Sequence, residues 1–137
     1  TSMPILVKGI LRGDDALLAL DHGADGIIVS NHGGRQLESD LSTIEVLEEI
    51  SKVVNGAIPI LIDGGIRRGT DIFKALALGA TAVGIGRPYI YGLSTDGQTG
   101  VEKVLKILQT ELVRNMQIAG VTSISKINRK CIREKKF

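Results

Sequence analysis

Short runs of aliphatic and β-branched residues alternate with stretches of helical periodicity along most of the chain. Pro4 to Gly9 reads as a first strand, and Asp14 to Leu20 as a short helix stopped at Gly23. Residues 26–31 form a second strand. After a glycine-rich loop, a helix is predicted over 43–54, with Ser42 and Glu45 as a capping box and Asn55-Gly56 as its stop. Residues 59–65 give a third strand. Thr70 is placed to cap the helix over 71–78, which Gly79 ends. Residues 82–88 give a fourth strand, and Thr99 with Glu102 forms a second capping box for a longer helix reaching about Ala119. In that helix Val101, Val104, Leu105, Leu108, Leu112 and Ile118 recur near helical spacing and are expected to face the sheet.

The predicted strands are nearly continuous apolar runs, not polar–apolar alternations. That pattern belongs to strands buried on both faces, as in parallel α/β sheets. Four βα units in succession fit either an open doubly wound sheet or half of a (β/α)8 barrel, which takes about 250 residues when complete. Periodicity does not choose between them.

Composition narrows the function classes. The 137 residues include two Tyr, two Phe and no Trp, too few rings for a platform that stacks single-stranded nucleic acid. The net charge of +2 is unevenly spread: residues 126–137 hold six Lys or Arg against Glu134, leaving 11 basic and 14 acidic residues upstream, a net of −3. The expected organisation is therefore a globular part over 1–125 and a solvated basic tail over 126–137. Neither a nucleic-acid partner nor a membrane span is expected, since no apolar run approaches the roughly 20 residues of a membrane helix. No secretory leader is read. Cys131 is the only cysteine, which excludes an internal disulfide and fits a reducing compartment.

Each strand ends in polar residues flanked by glycine: Lys8-Gly9, Ser30-Asn31-His32, Asp63-Gly64-Gly65 and Gly86-Arg87. In parallel α/β folds that edge is where ligands bind. In the loop after the second strand, Gly33 and Gly34 permit a tight turn that brings His32 and Arg35 toward one point. A histidine suits proton abstraction near neutral pH, and the planar fork of arginine holds a carboxylate by two parallel hydrogen bonds. Gly64-Gly65 and Gly86, with Arg67 and Arg87, have the makings of a phosphate cradle. Arg68 reads as solvated. His22, at a helix C-terminus, is given no chemistry.

These motifs together carry a family resemblance. Ser-Asn-His-Gly-Gly-Arg-Gln-Leu at 30–37, Leu-Val-Lys-Gly at 6–9, Asp-Gly-Gly-Ile-Arg-Arg-Gly-Thr-Asp at 63–71 and Gly-Ile-Gly-Arg-Pro at 84–88 resemble, in order and spacing, those of the FMN-dependent 2-hydroxy-acid oxidases and dehydrogenases, the glycolate oxidase-like family. The likeness extends to about Ser125. It implies an α/β fold, specifically units five to eight, the C-terminal half, of a (β/α)8 TIM barrel. It implies FMN as cofactor, a small (S)-2-hydroxy acid as substrate, and O2 as electron acceptor with H2O2 as product. By the same resemblance His32 is the catalytic base and touches substrate, Arg35 binds the substrate carboxylate, and Lys8 and Ser30 meet the flavin ring. Asp63 meets the ribityl hydroxyls, and Gly64, Gly65, Ile66, Arg67, Gly86 and Arg87 hold the phosphate end. No metal site is assigned.

The likeness is incomplete in two respects. The family usually carries Asp after Gln-Leu and then small residues with a proline, whereas this chain has Glu38-Ser39-Asp40-Leu41-Ser42. The family's first four units also supply a second substrate arginine, tyrosines near the substrate hydroxyl and the aspartate that orients the base, none of which is present. The expected partner is accordingly an N-terminal half-barrel or another copy of the chain. The resemblance implies a peroxisomal setting, although Lys135-Lys136-Phe137 lacks the small-basic-leucine signal; the alternative is the cytoplasm. The competing functional readings are a catalytically inactive fragment that at most binds FMN or phosphate, an FMN-dependent L-lactate dehydrogenase, and an unrelated phosphate-binding barrel.

Overall fold

The computed structural model describes residues 1–37 and 41–133. Four strands, β1 (Leu6–Ile10), β2 (Gly26–Val29), β3 (Ile60–Ile62) and β4 (Ala82–Val83), form one parallel sheet in the order β1-β2-β3-β4. Helices α1 (Gly13–Asp21), α2 (Thr43–Val54) and α3 (Gly69–Ala77) connect them, and α4 (Arg87–Ile118) follows β4. The alternating pattern therefore reads out as an α/β fold with a wholly parallel sheet.

Ile27, Val29, Ile60 and Ile62 are buried together with Val46, Leu47, Ile50 and Val54 of α2, forming the centre of the core. On the other face, Lys8, Ile28, Leu61 and Ala82 share one cross-strand row. That face is less covered: Ile28 and Leu61 are half-buried and Ala82 is exposed. The edge strand is barer still, with Ile5, Leu6 and Val7 all exposed. Apolar side chains left open on a sheet edge are a template for further pairing.

The α2 capping box forms as its spacing predicts. The Glu45 carboxylate accepts from the Ser42 backbone N–H at 3.0 Å and from its hydroxyl at 2.6 Å, which holds that carboxyl below the usual range. Asn55 closes the helix in the left-handed region, at φ 47°.

Several expectations change. Thr70 does not cap α3. Arg68 occupies that position, because Asp71 reaches back to accept from the N–H groups of Arg67 and Arg68, each at 2.9 Å. The fourth strand is two residues long rather than seven. Gly84 still donates to the Ile62 carbonyl at 2.7 Å, but Gly86 turns the chain and Arg87-Pro88 start α4, where proline's missing N–H costs nothing. The long helix thus begins well before Thr99, and its backbone breaks at Asp96 and Gly97. Glu102 accepts from the Gln98 side chain at 2.8 Å, not from a cap at Thr99. The apolar stripe packs on α3 rather than on the sheet. Leu112 meets Phe73 and Ala77, while Leu105 and Ile118 stay exposed.

The basic segment also departs from expectation as far as it is described. Two 3-10 turns, Ile124–Lys126 and Arg129–Cys131, fold back. Ile127 is buried against Phe73 and Ala77, and Arg129 reaches Glu48 at 3.3 Å. The apolar residues interleaved with the basic ones anchor the segment. Residues 134–137 lie outside the described residues.

Arg68 is not merely solvated. It pairs with Glu111 of α4 at 2.9 Å, and Glu111 also accepts from the Gly69 N–H at 2.8 Å. The Arg68 guanidinium, helped by that N–H, holds the Glu111 carboxyl below its ordinary range. A carboxyl depressed in the folded state stabilises above its unfolded pKa, and that contribution fades as pH falls through the folded value. Glu111→Gln is therefore expected to lower the thermal midpoint at neutral pH. Its deficit relative to wild type should shrink once pH drops below about 4.3. Melting curves at several pH values would show it; a deficit constant from pH 7 down to pH 2 would refute the ion pair.

Candidate active site

The C-terminal ends of all four strands open onto one cleft of about 640 Å³. Lys8 enters from β1. His32, Arg35 and Gln36 come from the loop after β2, Asp63 to Arg67 from the loop after β3, and Gly84 to Arg87 from the turn into α4. The cleft thus unites ten of the eleven residues singled out in the sequence. Ser30 is the exception: it is fully buried and lies beneath the cleft instead of lining it.

The first loop owes its shape to Asn31 and three left-handed residues. The Asn31 side-chain oxygen accepts from the Gly33 N–H at 3.0 Å, and its backbone carbonyl accepts from the Gly34 N–H at 3.0 Å. His32, Gly33 and Gly34 take φ values of 55°, 74° and 71°. Glycines adopt this region freely. For His32 it costs about 1–2 kcal/mol, so the surrounding hydrogen bonds must hold it there. One of them is the Ser30 hydroxyl, which accepts the His32 N–H at 3.2 Å.

The same Ser30 hydroxyl accepts from the Lys8 ammonium at 2.6 Å, and that ammonium lies 3.0 Å from an Asp63 carboxylate oxygen. Lys8 is therefore held against the ends of β2 and β3 by Ser30 and Asp63. Both charges remain partly exposed (41% and 29%), so the pair's value lies in orientation more than in stability.

At the far end of the cleft the backbone is bare. A side chain at Gly65 or Gly86 would meet nothing within 4 Å. Arg67 and Arg87 flank these glycines, and Ile66 is buried beneath them. Two residues escape sequence reasoning. Thr43, the first residue of α2, is buried and donates its hydroxyl to the Asp63 carbonyl at 2.6 Å. Gly9 leaves room for the His32 ring, since a Cβ there would fall 2.9 Å from its Cε1 atom. Neither contact has a local sequence signal, because each joins segments about 20 residues apart. Glu38, Ser39 and Asp40 lie outside the described residues.

The model of a family described as FMN-dependent dehydrogenase matches residues 1–134. The chain belongs to this family. Proteins similar to it include a 2-hydroxyacid oxidase of Dictyostelium discoideum, 64% identical over 96% of this chain and 34% of that protein. A peroxisomal (S)-2-hydroxyacid oxidase of Arabidopsis thaliana is 59% identical over 97% of this chain and 37% of its own length. Among solved structures, a mandelate oxidase matches with TM-score 0.91 and 48% identity, covering 94% of this chain and 39% of that one. A variant of mandelate oxidase holding an FMN monooxide adduct matches with the same score and identity, over 94% of this chain and 41% of that one. The chain spans about a third of the length of the curated relatives it matches. FMN is the cofactor of the family, and the cleft suits its parts: a fixed cation paired with a carboxylate at one end, open glycine backbone with two guanidinium groups at the other.

Proposed function

We propose that this chain forms the C-terminal half, units five to eight, of a (β/α)8 barrel that oxidises (S)-2-hydroxy acids to 2-oxo acids with FMN. O2 is the acceptor and H2O2 the second product, so that the substrate's H–C–O–H unit gives up two electrons and two protons. The observation that carries the reading is the meeting of His32, Arg35, Lys8 and the Gly64-Gly65 backbone in one cleft at the strand ends. Phosphate commonly binds in such barrels after the seventh and eighth strands, and β3 and β4 carry the glycine–arginine loops here.

FMN, when bound, would supply the acceptor for the electron pair. His32 removes a substrate proton as general base. Arg35 orients the substrate through a forked pair of hydrogen bonds to its carboxylate. Lys8 supplies fixed positive charge where the flavin ring gains negative charge, which is preorganised electrostatic stabilisation. Ser30 contributes to the ring site by holding that ammonium. Asp63 bonds the ribityl hydroxyls, and the backbone of Gly64, Gly65, Ile66 and Gly86 with Arg67 and Arg87 takes the phosphate.

The partner is the rest of the barrel, supported by the exposed edge at Ile5, Leu6 and Val7 and by relatives nearly three times as long. The oxidase is preferred to the dehydrogenase because the relatives are described as oxidases. The compartment is assigned to the peroxisome on the description of the Arabidopsis relative.

Co-expression with the N-terminal half of a relative tests the reading. The expected result is a yellow complex whose flavin bleaches with glycolate or lactate and yields peroxide, while this chain alone gives no turnover. A folded complex without flavin or peroxide would sink it.

A further inference from the structure

We infer that Thr43 is a positioning residue whose hydroxyl turns the Asp63–Gly64 peptide so that backbone N–H groups face the cleft. The inference rests on the proposed use of that cleft for FMN. Thr43 is only 2% exposed, and its Oγ1 lies 2.6 Å from the Asp63 carbonyl oxygen and 3.4 Å from that of Gly64. A hydroxyl has one hydrogen to give, so the shorter contact is the bond.

The peptide is trans, as are all among the described residues. A carbonyl drawn back toward α2 therefore leaves the Gly64 N–H pointing the opposite way. Among the described residues the N–H groups of Gly64 and Gly65 donate to nothing. Successive free N–H groups in a glycine turn make an anion-binding concavity. The fit at Gly64 is tight: its φ is +91°, and a Cβ there would come within 3.0 Å of the Thr43 oxygen. The same peptide sets the backbone of Asp63, whose carboxylate faces Lys8 at 3.0 Å. One buried hydroxyl thus links the start of α2 to both the anion-facing amides and the Lys8–Asp63 pair.

Thr43→Val keeps the shape and removes the donor; Thr43→Ser keeps the donor and removes the methyl. In the ligand-free chain, Thr43→Val should move the Gly64 and Gly65 amide resonances, and Thr43→Ser should leave them near wild type. FMN affinity, read by quenching of flavin fluorescence in the co-expressed complex, should fall about tenfold in the valine variant and recover with serine. Should the valine variant fail to fold, the wild-type chain still decides: the Thr43 hydroxyl proton should exchange slowly and couple to the Asp63 carbonyl carbon. A rapidly exchanging hydroxyl proton overturns the inference, as do unchanged amides or equal losses in both variants. A wild-type complex that binds no FMN defeats the functional reading instead, and the amide experiment still judges Thr43.

Discussion

Gly69→Ala is expected to be among the most destabilising single substitutions in this chain. Gly69 opens α3 where it crosses α4, and a Cβ there would fall 2.3 Å from the Leu112 backbone nitrogen, 2.4 Å from Glu111 Cβ and 2.5 Å from the Glu111 carbonyl carbon. Two of these atoms are helix backbone, so no rotamer change relieves the clash. The helices must part. Parting them also pulls the Gly69 N–H from Glu111 and loosens Phe73 and Ala77 against Leu112. Alanine's better helix propensity returns only about 1 kcal/mol. Overpacking costs typically 1–3 kcal/mol and more where backbone must move, so the clash wins. The thermal midpoint should drop by about 10 °C. A midpoint equal to or above wild type would show that α3 and α4 do not approach so closely.

That crossing illustrates what the sequence could and could not tell. Strand positions were legible because Ile27, Val29, Ile60 and Ile62 sit in short uninterrupted apolar runs of the kind that parallel strands carry. The α2 boundaries were legible because their signals are local: Ser42 and Glu45 at one end, Asn55 at the other. The α3 cap was not legible because two local signals compete there, and the carboxylate of Asp71 captures two N–H groups. The end of the fourth strand was not legible because Gly-Ile-Gly is apolar enough to continue a strand yet free to turn into a helix. The fate of the α4 stripe was not local at all. Whether Leu112 or Ile118 is buried depends on where α3 lies, and the break at Asp96 and Gly97 redirects the helix.

The site divides along the same line. His32, Arg35, Lys8 and Asp63 could be picked out because strand ends in a parallel sheet converge on one edge, so their residue types and order carry the information. What holds them could not. Ser30 bridging Lys8 to the His32 N–H, Thr43 behind Asp63, and Gly9 beneath the imidazole are contacts between loops. They follow from packing distances, which spacing along the chain does not encode. Electrostatics and backbone strain cooperate here: the hydroxyl that orients the ammonium also accepts the N–H of the strained histidine.

Gly9→Ala is expected to impair the His32 chemistry without removing the cofactor site. β1 carries an irregularity in register between Lys8 and Ile10, and Gly9 sits there with φ +102°. A methyl at this position would lie 2.9 Å from His32 Cε1 and 3.8 Å from both ring nitrogens, so the imidazole must shift by roughly half an ångström to reach ordinary contact. A full ångström of misplacement can cost about 10²-fold in turnover, so the smaller shift here is set at about tenfold, against about 10²–10⁴ for removing a general base outright, as in His32→Gln. In the co-expressed complex, peroxide production should therefore fall about tenfold while flavin absorbance persists. Backbone strain alone must be separated from displacement, and Gly23 provides the control. Its φ is +79° with nothing within 4 Å of an added Cβ, and it lies just beyond α1, outside the cleft. Gly23→Ala should lose stability through strain yet keep its turnover. If the two alanine variants lost activity in parallel, strain would be the cause, and the contact between Gly9 and His32 would have no part in aiming the base.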